Sequence, residues 1–399
     1  MKMKGKFAVL ALATALIGGC VGKLASKQPQ TFYKCGAEET QSALNVKAKA
    51  AFVMESNTKT PIFSQNEMKR LPIASMCKIM TLLLTFESIE KGVLSMDEEI
   101  TISENAASMG GSQVFLEANA KYAVRELLKS IVVCSANDSC VALAEKISGS
   151  EQLFVDKMNA RAKELGAENT LFANCTGLPK EPQYSCAQDV ATMLNALIAH
   201  EEYFEFGKIW MDKFQHPEGR YTEISNTNRL VRFYDGCDGG KTGFTSQAGF
   251  CLAATAKRGN MRVISVVIGE ENSKQRFDDV RTTFDYAFAN YELKTVIDCN
   301  TLLSQKVEAI GGKQKRIAVA PVRNAYAFVQ RGTLPDIQVE TNVTATIKAP
   351  VKKGAEVGEI VVYKDGVEMD RIAVITVEAI NQAGIFDKFR DVSDMWNLS

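Results

Sequence analysis

The chain has 399 residues, 46% of them apolar, and its 47 basic residues balance its 47 acidic ones. That length suits two or three domains with sizeable cores, and without a long run of one sign there is no footprint for nucleic acid. With two histidines, His200 and His216, and no Cys-x-x-Cys pair, the chain offers little from which to build a zinc site or a Ser-His-Asp triad, so no metal and no cofactor are expected.

In chain order, the N-terminus reads as an export signal. Lys2, Lys4 and Lys6 precede an apolar stretch from Phe7 to Ile17 that is too short to span a bilayer comfortably. It ends in Ile17-Gly18-Gly19-Cys20, similar to a bacterial lipobox, with Cys20 as the candidate lipidation residue. The alternative is an ordinary cleaved signal peptide. On both readings residues 1–20 are the signal and the mature protein works outside the cytoplasm. The ten cysteines follow no disulfide framework. Several sit in apolar runs, as in Val132-Val133-Cys134 and Phe250-Cys251-Leu252, and read as small buried hydrophobes. Most are expected to be free thiols, although exported proteins usually pair theirs.

Residues 21–45 form a polar spacer. Ala50 to Glu55 and Thr60 to Phe63 predict a hairpin around the turn Ser56 to Lys59. A helix is expected from Ser75 to about Lys91, with Ile79, Leu82, Leu83 and Phe86 on one apolar face and Gly92 as its stop. Further helices are expected over Val124–Val133, Asn137–Ile147, Glu151–Leu165 and Ser185–Ala199. Asp238–Gly243, Gly249–Ala256 and Arg262–Gly269 read as adjacent strands, closed by a helix over Phe277–Tyr291. The expected architecture over residues 46–292 is an α/β domain, an antiparallel sheet flanked by helices. From 293 to 380 short strands separated by turns predict a small all-β sandwich domain. The tail, 381–399, places Ile385, Phe389, Val392 and Trp396 on one helical face, suited to a membrane surface or to packing on the β domain.

Three short motifs carry the chemistry. Ser-x-x-Lys occurs at Ser56, Ser75 and Ser88, and Ser-x-Asn at Ser64, Ser103 and Ser135. Only Ser75 opens a long apolar helix, where the dipole and free N–H groups favour a reacting hydroxyl. Lys78 follows one turn later on the same face. An amine held among apolar neighbours carries its charge at a cost and can take the serine proton. The plain alternative is a Ser75 N-cap with Lys78 in solvent. Ser135 and Asn137 fall between two helices, where a hydroxyl can relay a proton and an amide can hold the lysine and the substrate backbone. Ordinary capping is the alternative there. Lys241-Thr242-Gly243 occurs once, on a strand. Lys241 and the Thr242 hydroxyl can bind a carboxylate, and Gly243 admits close approach of another backbone. The alternative is an edge lysine of a hairpin.

Taken in order, this set resembles that of the D-alanyl-D-alanine carboxypeptidases, the low-molecular-mass penicillin-binding proteins. The longer runs Pro72 to Thr81, Gly239 to Thr245 and Ala248 to Leu252 carry the same resemblance, and the β domain and tail match the family layout. The resemblance implies a serine peptidase acting on peptidoglycan stem peptides and inhibited covalently by β-lactam antibiotics. It implies Ser75 as nucleophile, Lys78 as base, Ser135 as proton relay and Asn137 as orienting group. Lys241 and Thr242 would hold the terminal carboxylate, and the N–H groups of Ser75 and Phe244 would form the oxyanion hole. It places the protein on the outer face of the bacterial cytoplasmic membrane or in the wall. Two departures stand out: Phe244 follows Lys-Thr-Gly where some relatives carry a polar residue, and Glu270-Glu271-Asn272 stands where some place an arginine. Arg276 and Arg229 are the open substitutes. The rival readings are a DD-endopeptidase, a class A β-lactamase, for which Glu181 to Ser185 makes a poor glutamate loop, and a non-enzymatic wall-binding lipoprotein.

Overall fold

A computed structural model describes residues 44–387. Cys20, the export signal, nearly all of the spacer and the tail from residue 388 lie outside the described residues. The expected hairpin forms as β1 (Ala50–Glu55) and β2 (Pro61–Gln65). It joins β3 (Cys237–Thr245), β4 (Gly249–Arg258) and β5 (Met261–Glu270) in a five-stranded antiparallel sheet of order β2-β1-β5-β4-β3. β3 therefore forms one edge. β5 is buried along nearly its whole length because helices cover both faces of the sheet.

On one face, Ala51, Val53, Leu252, Val263 and Val267 pack with Phe277, Val280 and Phe284 of the C-terminal helix Ser273–Asn290. That helix is capped by Asn272, whose side chain accepts the Gln275 N–H. On the other face, Phe52, Met54, Ala253, Ile264 and Val266 meet the main helical layer. Its elements are α1 (Lys78–Glu90), α2 (Val124–Cys134), α3 (Asn137–Ser148), α4 (Glu151–Glu164) and α5 (Ala187–Leu197), followed in chain order by the sheet-backing helix Ser273–Asn290, α6. α1 differs from expectation in two respects. It is buried on every side from Lys78 to Glu87 rather than along one stripe, because α3, α4 and α5 all pack against it. It also begins at Lys78; Ser75 lies in a preceding single turn of 3-10 helix, Ala74–Cys77.

The C-terminal strands have a core of their own, built from Val307, Ile317, Val319, Ile360, Val362, Ile372, Val374 and Ile380. Four strands (Val319–Pro321, Val367–Thr376, Glu356–Lys364 and Ile337–Val343) make one sheet, and Arg316–Ile317, Val307–Ile310 and Thr346–Lys348 make another. A further pair, Tyr291–Ile297 with Ala325–Gln330, ties this unit to the larger one: its Leu293 and Phe328 belong to the α6-side core. The pattern had not suggested Tyr291–Ile297, Val307–Ile310 or the hairpin Met211–Gln215 with Tyr221–Ser225. In the first strand of that hairpin only Phe214 is buried, so no alternation marks it. The eight cysteines within the described residues are all unpaired, and six of them are buried. No helix among the described residues is long and apolar enough to cross a membrane.

Candidate active site

The backbone around Ser75 explains the short 3-10 turn. Ala74 has φ of +47°, in the left-handed region that L-residues avoid. Two glycines from distant segments press on this point. A Cβ on Gly177 would stand 2.1 Å from Ala74 O and 2.9 Å from Ser75 N, and one on Gly243 would stand 2.6 Å from Ile73 O and 3.2 Å from Ser75 N. The Ser75 turn is thus wedged between a loop and the end of β3, which leaves no room for a regular helical entry. The Ser75 N–H lies in a first helical turn, where donors lack intrahelical partners. Gly177 itself has φ of +82°. Gly177→Ala should therefore destabilise the fold by about 3 kcal/mol and slow any reaction at the Ser75 hydroxyl even in the folded fraction. Denaturant unfolding and the kinetics of that reaction measure the two effects; unchanged kinetics would mean that the turn tolerates displacement.

Lys78 is fully buried. Its Nζ donates to Ser75 Oγ at 3.1 Å, to Asn137 Oδ1 at 2.7 Å and to the Thr176 carbonyl. These three acceptors match the three donors of an ammonium. Asn174 shapes the loop that presents Thr176 O. Its Oδ1 accepts the Gly177 N–H at 2.7 Å and the Thr176 N–H at 3.2 Å, while its Nδ2 donates to Leu178 O at 2.8 Å. Asn174, Thr176 and Gly177 were not among the residues singled out from sequence. Their signal was the run Asn-Cys-Thr-Gly, which is turn chemistry.

Ser135 ends α2 in the left-handed conformation, φ 68°, and Asn137 opens α3. The Ser135 hydroxyl is buried and has no hydrogen-bond partner among the described residues. A buried hydroxyl in that state is uncommon and calls for a reason. Asn137 bridges two walls: its Oδ1 accepts from Lys78, and its Nδ2 donates to Gly110 O at 2.7 Å. The loop carrying Gly110 is held further by Asp138, which accepts the N–H groups of Val114 and Leu116. Burial raises the Asp138 carboxyl above its ordinary range.

On the edge strand β3, Lys241 is 1% exposed, and its Nζ donates to Thr242 O at 3.1 Å. Among the described residues no carboxylate is paired with it. Burial, and then the charge of Lys78, push it down to about 7. Thr242 is also buried. Tyr203 backs the strand, its hydroxyl accepting the Gly240 N–H at 2.8 Å, and a Cβ on Gly239 would stand 2.8 Å from its ring. Phe244 is 55% exposed and stacks on Phe250 at 4.2 Å. Of the two arginines left open, Arg276 reaches this strand, donating to Gly243 O at 3.2 Å. Glu181 is exposed and bonds Gln247.

The structure therefore brings Ser75, Lys78 and Asn137 into one hydrogen-bonded group and packs Gly243 of the Lys-Thr-Gly strand against its first turn. A serine hydrogen-bonded to a buried lysine in this way, on a helix-flanked antiparallel sheet, is an arrangement able to support acyl-enzyme chemistry. The family profile for D-alanyl-D-alanine carboxypeptidase matches residues 37–272, and that for the C-terminal domain of penicillin-binding protein 5 matches residues 291–382. The chain belongs to the D-alanyl-D-alanine carboxypeptidase family. It is 40% identical over 386 residues to the D-alanyl-D-alanine carboxypeptidase DacF of Bacillus subtilis (strain 168), spanning 96% of this chain and 98% of that one. Penicillin-binding protein 5 from Haemophilus influenzae aligns with a TM-score of 0.67 at 27% identity, over 85% of this chain and 98% of that one. Penicillin-binding protein D2 from Listeria monocytogenes, in its ampicillin-bound form, aligns at 0.56 with 30% identity, over 61% of this chain and 99% of that one. The expected α/β domain followed by an all-β domain is the fold of this family.

Proposed function

We propose that the protein is a serine-type carboxypeptidase that removes the terminal D-alanine from peptidoglycan stem pentapeptides. The observation that carries the reading is the Ser75–Lys78 hydrogen bond of 3.1 Å, set beside a buried Lys241 with no carboxylate partner among the described residues. Lys78 takes the Ser75 proton while Oγ attacks the carbonyl of the penultimate D-alanine. The N–H groups of Ser75 and Phe244 bind the oxyanion. The buried Ser135 hydroxyl passes a proton to the departing amine, giving free D-alanine and an ester on Ser75. Asn137 orients Lys78 and the substrate backbone, while Lys241 and Thr242 hold the terminal carboxylate beside Gly243. Water then hydrolyses the ester and returns the proton to the serine. A β-lactam acylates Ser75 in the same way, and its opened ring stays attached and hinders the water. The site of action is the outer face of the cytoplasmic membrane or the wall, with attachment through Cys20 or the C-terminal tail.

The test is D-alanine release from a pentapeptide ending in D-Ala-D-Ala, run beside nitrocefin and a cross-linked dimer. Stoichiometric D-alanine with slow nitrocefin acylation is expected. Cleavage of the cross-link alone would make the protein an endopeptidase, and fast nitrocefin turnover a β-lactamase. No covalent penicillin adduct by intact mass would leave only a binding role.

A further inference from the structure

We propose that Arg276 is a positioning residue of the oxyanion hole: its guanidinium holds the Gly243 carbonyl and, through that peptide unit, aims and polarises the Phe244 N–H. The inference rests on the proposed role of that N–H. Arg276 lies near the start of α6, which covers the face of the sheet opposite the Ser75 turn. Its Nη1 donates to Gly243 O at 3.2 Å and to Cys251 O at 3.4 Å, and its Nη2 to Ser273 Oγ at 3.4 Å. Gly243 and Cys251 are opposite one another in the β3–β4 register. One nitrogen reaches both carbonyls, so Gly243 O is turned toward β4.

The peptide between Gly243 and Phe244 is trans. Its N–H therefore points the other way, toward the open edge of β3. Carbonyl and N–H share one delocalised unit. A charged donor on the oxygen makes the N–H a stronger donor, and hydrogen bonds linked in this way reinforce one another. As negative charge grows on the substrate oxygen, the coupling strengthens, so the benefit falls on the transition state rather than on binding.

The guanidinium is fixed in place. Its centre lies 4.8 Å from the centroid of Phe277 and 5.5 Å from that of Phe250, and Phe250 in turn carries Phe244. Its Nε is buried without a hydrogen-bond partner among the described residues. Burial lowers the group to about 10, which keeps it charged at neutral pH. A half-satisfied arginine behind a sheet is costly for stability alone; a role at the end of β3 accounts for it.

The test compares Arg276→Met, Arg276→Lys and the unaltered full chain. For the pentapeptide and for penicillin, Arg276→Met should lower kcat and the acylation rate constant about tenfold, short of the loss on removing an oxyanion donor outright, with KM within about twofold. Arg276→Lys should recover most of the rate. In the penicilloyl enzyme, the infrared band of the acyl carbonyl should move toward higher frequency in Arg276→Met and return in Arg276→Lys. A raised KM at unchanged kcat would overturn the proposal and make Arg276 a substrate-binding group. An unmoved band, or unchanged rates, would also overturn it. If the band of the unaltered enzyme already matches that of the denatured acyl-enzyme, the Phe244 oxyanion role itself fails. Should Arg276→Met not fold, Arg276→Gln gives the same readouts, with a donor but no charge.

Discussion

Replacing Ser75 with alanine should abolish the covalent penicillin adduct and lower D-alanine release by roughly 10⁶-fold, the scale of loss when a serine nucleophile is removed. The fold should persist. The hydroxyl accepts a hydrogen bond from Lys78, and Lys78 keeps Asn137 Oδ1 and Thr176 O when it is gone. The Ser75 backbone stays wedged between Gly177 and Gly243, so stability should change by no more than about 1 kcal/mol. Ser135→Ala serves as the contrast. Its hydroxyl has no hydrogen-bond partner among the described residues, so its loss should cost little stability. It should slow acylation by roughly 10²-fold, as expected for a proton relay, while labelling still reaches completion. Intact mass after penicillin treatment reads both variants. An adduct on Ser75→Ala would place the nucleophile elsewhere.

The motif serine could be picked from its duplicates because an apolar helix follows it, and a helix core leaves a strong pattern in sequence. The conformation of that serine could not be read the same way. The 3-10 turn and the positive φ of Ala74 are imposed by Gly177 and Gly243, which lie far along the chain from it. The third acceptor of Lys78 was hidden for another reason: it is a backbone carbonyl, Thr176 O, and carbonyls carry no residue identity. The strands Gly249–Arg258 and Met261–Glu270 are legible because their apolar runs are long and bounded by turn residues. The hairpin Met211–Gln215 with Tyr221–Ser225 was not, since its strands are mostly exposed. The sequence alone does not choose between Arg276 and Arg229. Only the register of β3 against β4 brings the Gly243 and Cys251 carbonyls within reach of Arg276.

Lys241→Met should lower kcat/KM for a pentapeptide with a free terminal carboxylate by roughly 10²–10³-fold, the range for losing one partner of a buried charge pair. A substrate with its terminus amidated should lose far less, because the lysine's proposed work is on that charge. The pH dependence follows from the low pKa of this group. In the free enzyme burial holds Lys241 at about 7, so its charged fraction falls as pH rises through that value. The profile of kcat/KM for the carboxylate substrate should therefore carry an alkaline limb near pH 7, and the variant should lack it. A bound carboxylate favours the ammonium, so the limb in kcat should lie higher. Stability moves in the opposite direction. Between about 7 and the ordinary 10.5 the unfolded chain binds more protons at this site than the folded one, so this lysine makes stability rise with pH across that window. Below about 7 its penalty is fully present. Lys241→Met should thus be more stable than the parent at pH 6, by about 1–3 kcal/mol, as expected when a buried functional charge is replaced by an apolar side chain. Denaturant unfolding at pH 6 and pH 9 measures this, and the gap between variant and parent should narrow at the higher pH. Equal losses on the free and the amidated substrate would show that Lys241 supports the strand rather than the carboxylate.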